Sequence, residues 1–265
     1  MVIKPAVLKL GGSVITNKRE PMTPNMPEIE RLSREIARAK VSQLILIHGG
    51  GSYGHPLAEQ YALKEGYKEQ TQLVGFSKTH QAMVALNKLV VDALIRQNMA
   101  AVGLQPSSLV VTSSGRIRSI EEQPLRNMLE MGFLPVFYGD AVLDSDLGFT
   151  ILSGDQLAAF LAVQLGASKI ILGADVDGLY TSDPKSDPSA RLIRRATLSD
   201  LRNMEHEIEK ARVTDVTGGM AGKMLELMPA VGKKISALIV NAATPNNIYK
   251  ALKGERVIGT TIVKG

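Results

Sequence analysis

QLILIHGGGSYGH (43–55) runs an unbroken apolar segment straight into a glycine-dense turn. A short apolar run bounded by turn residues reads as a strand buried on both faces, the kind found in parallel sheets. The same pattern recurs in AVLKL (6–10), SLVVT (108–112), LPVFYG (134–139), KIILG (169–173), ALIVN (237–241) and VIGTTIV (257–263). Helical patterns lie between these runs. Ile29, Leu32, Ile36 and Ala39 form an apolar stripe behind Pro27, which predicts a helix over 28–40. Further helices are predicted over 71–97, 155–165 and 220–231, and Ser119 with Glu122 has the spacing of a capping box opening a helix near 120–131.

Strands alternating with helices predict an α/β fold: an open, mostly parallel sheet with helices on both faces, joined by right-handed crossovers. AVLDSDLGFTIL (141–152) reads instead as a hairpin, so the sheet is expected to be mixed in places. No linker or internal repeat interrupts the 265 residues, and the expectation is two lobes, 1–150 and 151–265, around one continuous sheet. The loops at 17–27, with three prolines, and 181–190 (TSDPKSDPSA) are the expected mobile segments.

Composition narrows the function. A hydrophobic share of 45% supports a core, and no apolar run is long enough to span a membrane. The N-terminal MVIKPAVLKLGG lacks the h-region of a secretory signal, so a cytoplasmic protein without a membrane partner is expected. The absence of cysteine excludes disulfides and thiolate metal sites. A net charge of +5 without charge blocks, with 4% aromatics and no Trp, gives no stacking platform for nucleic acid.

The turn itself matches three patterns. Gly49, Gly51 and Gly54 fit the dinucleotide fingerprint, but the acid that should close the next strand is missing: Glu69 lies in the polar stretch KEGYKEQTQ. Gly50, Ser52 and Gly54 fit the hydrolase elbow, yet the histidines downstream of Ser52 are His55, His80 and His206, the first too close in sequence and the others inside helical patterns. The third reading is a phosphate site built of backbone amides. Glycine-rich turns also follow the strands at GGS (11–13) and SGD (153–155), and TGGMAGK (217–223) opens a helix. TGGMAGK is one residue short of a P-loop and carries Met224 where Ser or Thr belongs. DVDG (175–178) starts like a calcium loop, but Leu179 and Ser186 occupy ligand positions. Backbone amides beside Lys9, Lys18 and Lys223 therefore point to phosphate handling. Phosphoryl transfer asks a protein mainly for positioning and charge neutralisation, and this set of residues supplies both.

KLGGSVIT (9–16), HGGGSYGH (48–55), SGDQLA (153–158), DVDGLYTSDP (175–184) and TGGMAGK (217–223), in that order along nearly the whole chain, resemble the amino acid kinase superfamily. The resemblance implies an αβα sandwich that uses ATP and Mg²⁺, assembles as a homodimer and has its acceptor in the N-terminal half. It implies that Lys9, Gly11, Gly12 and Ser13 approach the transferring phosphates and that Asp155 orients the lysines. Asp175 and Tyr180 would border the nucleotide, with Gly219 and Lys223 holding ATP. Within the superfamily, GGGSYGH ending in His looks like the isopentenyl phosphate kinases and, less closely, the fosfomycin kinases. That likeness implies a small phosphate as acceptor, held by Gly50, Gly51, His55 and Gly154, with Lys18 stabilising the group in transfer. A prenyl chain also needs an apolar wall, for which Phe76, Met83, Leu86 and Ile151 are the candidates. His48 and Ser52 are expected to be structural, and His55 competes with a role as cap of a helix begun by Pro56.

Overall fold

The computed structural model describes residues 4–17, 19–182, 187, 189–203 and 220–265. In chain order the strands are β1 (Ala6–Leu10), β2 (Leu44–His48), β3 (Ala101–Gly103), β4 (Val110–Ser113), β5 (Arg116–Ile120), β6 (Leu134–Tyr138), β7 (Asp140–Asp144) and β8 (Gly148–Leu152). They continue with β9 (Lys169–Ala174), β10 (Leu179–Tyr180), β11 (Leu192–Ile193), β12 (Arg195–Thr197), β13 (Ser236–Asn241) and β14 (Gly259–Val263). The helices are α1 (Gly12–Ile15), α2 (Met26–Ala39), α3 (Gly51–Gln60), α4 (Thr71–Ile95), α5 (Pro106–Leu109), α6 (Gln123–Met131), α7 (Gly154–Leu165), α8 (Met220–Gly232) and α9 (Asn247–Lys253).

Eight strands form the main sheet in the order β12-β14-β13-β9-β1-β2-β6-β3. From β13 to β3 every neighbouring pair is parallel, and only β14 turns antiparallel to β13. The α/β expectation holds. Side chains alternate across the sheet. Val7, Ile45 and Ile47 enter one core layer with Leu157, Ala158 and Leu161 of α7. Ala6, Leu8, Leu10, Leu44 and Leu46 enter the opposite layer with Ile29, Leu32 and Ile36 of α2 and Leu86 and Val90 of α4. Lys9, in register with Ile47 and Leu172, therefore points toward the α7 side.

Four strands form a second sheet, β5-β4-β7-β8. The hairpin expected in AVLDSDLGFTIL is β7–β8, with Asp144 opposite Gly148. Two sequence readings are corrected here. SLVVT is not a strand of the main sheet: Pro106 starts the short helix α5 through Leu109, the strand begins at Val110, and it joins the second sheet. Ser119 does not cap a helix, because it pairs with Val111 inside β5, and α6 begins at Gln123 with no side-chain cap.

The loop after α1 is tied down. Thr16 bridges Pro24, and the Asn17 N–H donates to the Thr23 carbonyl at 2.9 Å.

Candidate active site

β1 and β2 are adjacent and parallel, with Leu10 opposite His48, so their glycine turns leave the carboxyl edge of the sheet side by side. The two turns pack backbone on backbone. A Cβ on Gly12 would stand 2.2 Å from the Gly51 nitrogen, and one on Gly49 would stand 2.7 Å from the Gly12 nitrogen. Gly51 itself has φ +50, and a Cβ there would meet Thr16 Oγ1 at 2.1 Å. The Thr16 hydroxyl locks the junction: it donates to the Gly12 carbonyl at 2.8 Å and accepts the Ser52 N–H at 3.0 Å. Ser13 sits half-buried in α1 beside this junction.

Lys9 is 4% exposed, and its ammonium lies 2.8 Å from Asp155 Oδ1 in the first turn of α7. Oδ1 is buried, and the ammonium is its charged partner. Ser153 caps α7 by accepting the Gln156 N–H at 3.0 Å, which fixes Asp155 at the helix start. A Cβ on Gly154 would stand 3.2 Å from the His48 carbonyl and 3.3 Å from Ile47 Cγ2, and in ordinary contact with the Lys9 stem at 3.5 Å, so Gly154 packs closely on the end of β2.

α3 begins at Gly51, which overturns the reading of His55 as cap of a helix opened by Pro56. Pro56 lies inside α3 and has no N–H for the Ser52 carbonyl; the Met22 N–H takes that carbonyl instead, at 3.0 Å. Ser52 is buried, and its hydroxyl donates to the Thr23 carbonyl at 3.4 Å, which leaves it a structural residue. His55 is exposed at the rim. Partial desolvation comes first in lowering its pKa, followed by the positive charges of Lys223 and Lys9. His48, expected to be structural, is fully buried: its ring lies 3.1 Å from the Gly49 carbonyl and 3.2 Å from the Asn87 amide.

On the other side of β1, Asp175 follows the end of β9 and is exposed. Asp177, which the sequence reading passed over, accepts from the Tyr180 hydroxyl at 3.2 Å and from the Asn241 amide at 3.1 Å. Asn241 ends β13, next to β9, and a polar residue closing an apolar strand was the signal available for it. Lys223 lies half-buried in α8, close enough to bias His55. Lys18 and Gly219 lie outside the described residues.

The apolar candidates fall on α4 and β8. Met83 is buried with its sulfur against the Gly50–Gly54 turn, and Phe76 packs on Phe149 with ring centroids 5.6 Å apart. Ile151 is half-buried, two residues from Phe149 and on the same face of β8. Leu86 is fully enclosed in the core behind them.

Amide-lined glycine turns, a buried lysine steadied by an aspartate and a rim histidine together define a protein that handles phosphate groups. The chain belongs to the amino acid kinase family, whose profile matches residues 4–241. It is 43% identical to the isopentenyl phosphate kinase of Methanothermobacter thermautotrophicus over 97% of this chain and 98% of that protein. It is 34% identical to that of Methanocaldococcus jannaschii over 97% of each. Among solved structures, an isopentenyl phosphate kinase superposes with a TM-score of 0.86 at 39% identity, covering 97% of this chain and 99% of that one. A product complex of the Thermoplasma acidophilum enzyme superposes with a TM-score of 0.80 at 28% identity, covering 98% and 100%.

Proposed function

We propose that this protein is a phosphotransferase that moves the γ-phosphoryl group of ATP onto isopentenyl phosphate, giving isopentenyl diphosphate and ADP. The observation that carries the reading is the 43% identity to an isopentenyl phosphate kinase over nearly the whole of both chains. An oxygen of the acceptor phosphate attacks the γ-phosphorus as the bond to the β,γ-bridging oxygen breaks, and the electron pair leaves with ADP. A phosphate monoester is already anionic near neutral pH, so the reaction needs no base to activate a hydroxyl. It needs two anions held together against their repulsion.

In this reading Gly50, Gly51, Gly154 and His55 hold the acceptor phosphate. Lys9, Lys18 and Lys223 neutralise the group in transfer, and Asp155 fixes Lys9. Gly11, Gly12 and Ser13 face the phosphates of ATP, while Asp175, Tyr180, Gly219 and Lys223 border the nucleotide. Phe76, Met83 and Ile151 line the acceptor chain, backed by Leu86. Gly12 and Gly51 let the two turns pack backbone on backbone, and this reading uses the amides gathered there to hold phosphate. Among the described residues no group of three His, Asp or Glu side chains could enclose a metal ion, and Mg²⁺ is proposed to arrive on the phosphates of ATP. We also propose residues 1–150 as the acceptor lobe and 151–265 as the nucleotide lobe, in a cytoplasmic homodimer. Among the described residues no helix is long and apolar enough to cross a membrane.

The test is a kinase assay on purified protein with MgATP and a panel of isopentenyl phosphate, fosfomycin, UMP and glutamate. ADP and isopentenyl diphosphate are the expected products. Turnover of another acceptor with none of isopentenyl phosphate overturns the substrate assignment, and ATP binding without any ADP release would make the protein a non-catalytic member of the fold.

A further inference from the structure

The turn between β4 and β5 is held from several sides. Ser113 pairs with Arg116, and the two residues between them, Ser114 and Gly115, have φ +48 and +76, the left-handed pair of a tight hairpin turn. Asp144 is 4% exposed and accepts the N–H groups of Ser114 at 3.1 Å and Gly115 at 2.7 Å, together with the Thr112 hydroxyl at 2.7 Å. The same carboxylate accepts the N–H groups of Asp146 and Leu147, both at 2.9 Å, so one side chain joins this turn to the β7–β8 turn. A left-handed serine persists only where its surroundings over-determine it, and these bonds make the turn a stiff platform.

Two arms reach from this platform to the helices that carry Asp155 and Lys223. Gln156, buried in the first turn of α7 next to Asp155, accepts the Ile117 N–H at 2.9 Å and donates to the Gly115 carbonyl at 3.1 Å. Arg116 stands between those two partners in sequence and extends to α8, where Nη1 and Nη2 donate to the two oxygens of Glu226, each at 2.8 Å. Glu226 follows Lys223 by three residues, so the two lie on neighbouring turns along one side of α8. The Arg116 side chain is 58% exposed and that of Glu226 22%, and an ion pair so open to water contributes little to stability. A forked guanidinium–carboxylate pair supplies direction instead: its two parallel bonds fix the distance and the angle between the elements that carry them.

We propose that Arg116 is a positioning residue for phosphoryl transfer: its fork on Glu226 sets α8 so that Lys223 faces the same phosphate as Lys9. This rests on the roles given above to Lys9 and Lys223. Lys9 is fixed by Asp155, and Gln156 ties that turn of α7 to the hairpin from which Arg116 reaches. The hairpin thus refers both lysines to one frame, although one belongs to β1 and the other to α8. A misplacement of about 1 Å can cost about 10²-fold in rate, so loss of the fork acts on kcat far more than on stability.

The experiment compares wild type, R116A, E226Q and R116A/E226Q, with kcat and KM measured for MgATP and isopentenyl phosphate and thermal unfolding recorded for each. R116A and E226Q are each expected to lower kcat about tenfold at a Tm close to wild type, and the double variant to fall no further, because all three lack the same contact. A residue that only stabilised the fold would lower Tm and leave kcat of the folded protein unchanged. Unchanged kcat in folded R116A, or a double variant that multiplies the two single losses, overturns the inference. A second readout needs no turnover. The charge of Lys223 helps to hold the pKa of His55 down, whereas Lys9, Asp155 and Glu59, which also act on the ring, are unaltered in these variants. With Lys223 released from its place, the His55 pKa, followed by NMR in the protein without ligand, is expected to rise in R116A and E226Q alike. The charge removed is positive in one variant and negative in the other, so their direct effects on His55 are opposite and a rise in both reports Lys223. No rise in E226Q shows that Lys223 keeps its place without the fork and overturns the inference. Should R116A fail to fold, E226Q, which keeps the shape of the side chain, carries both measurements. If wild type turns over no phosphate acceptor, the proposed function falls, and the His55 titration still decides whether Arg116 places Lys223.

Discussion

Lys9 Nζ and Asp155 Oδ1 meet 2.8 Å apart where the central strand of the sheet faces the start of α7. Neither group tolerates loss of the other, because an unpaired charge in a buried setting costs about 3–5 kcal/mol. D155N is therefore expected to lower Tm and to reduce kcat/KM by about 10²-fold or more, since the lysine loses its fixed position. The apolar double variant K9M/D155L should recover much of the stability while remaining inactive. Thermal unfolding and steady-state kinetics on the three proteins check this; a double variant that regained activity would remove Lys9 from the chemistry.

The junction between the two glycine turns makes an equally sharp forecast. In G12A the new methyl group would stand 2.2 Å from the backbone nitrogen of Gly51, an atom that cannot swing aside. G51A adds strain at φ +50 to a contact of 2.1 Å with Thr16 Oγ1. Each is expected to cost about 3 kcal/mol or more and to abolish phosphate binding. G232A, at the end of α8 with its nearest neighbour 4.0 Å from the added carbon, serves as the tolerated control. Urea unfolding of the three variants tests the ranking.

His55 gives a pH-dependent prediction. Desolvation, then the charges of Lys223 and Lys9, lower its pKa, so the free protein holds it neutral near pH 7. A bound phosphate dianion reverses that balance and raises the pKa, which couples acceptor binding to uptake of a proton. Binding gained this way is complete below the free pKa and disappears as pH rises through the bound one. Above about pH 6.5, where the monoester is mostly dianionic, acceptor KM is expected to rise with pH in wild type and to stay flat in H55A. H55A should lose roughly 10²-fold in kcat/KM without a fall in Tm, because the exposed ring supports no part of the fold. An unchanged KM profile in H55A would remove the histidine from the acceptor site.

Where burial was complete, the sequence was a sufficient guide. β1, β2 and β6 are wholly apolar apart from Lys9, His48 and the Tyr138 hydroxyl, and both β1 and β2 lie at their expected positions. β5 (RIRSI) has no apolar run to mark it, because it is largely exposed and carries Arg116 and Arg118. In SLVVT the strand starts only at Val110, because Pro106 opens a helical turn that takes in Ser108 and Leu109 and leaves no local apolar break to mark its end. The site divides in the same way. Glycine turns that follow strands are local features, and all of the described ones gather at one edge. The His80–Asp140 contact joins residues 60 apart, and no local pattern announces it. The start of α3 depends on the left-handed backbone of Gly51, which a run of three glycines cannot assign to one position.

His48 carries the last prediction. Its Nδ1 lies 3.1 Å from the Gly49 carbonyl and so bears the proton, while Nε2 is 3.2 Å from the Asn87 amide and accepts from it. Neutral imidazole satisfies both contacts; a second proton would turn Nε2 toward a donor. Complete burial, reinforced by the charge of Lys9 and only partly opposed by the Gly49 bond, pushes the pKa down to about 4. The unfolded chain protonates near pH 6.5 and the folded one near 4, so between those values the unfolded state holds more protons and stability rises with pH. The full contribution is present above pH 6.5 and is lost as pH falls toward 4, amounting to about 3 kcal/mol. In H48F, which keeps a ring beside Tyr138, the stability offset from Asn87 is constant, and the slope between pH 4 and 6.5 should shrink by about one proton. The difference between the two stability curves cancels His80, whose pKa Asp140 raises and whose effect runs the other way. Equal slopes in urea unfolding across that window would show that His48 stays protonated in the fold.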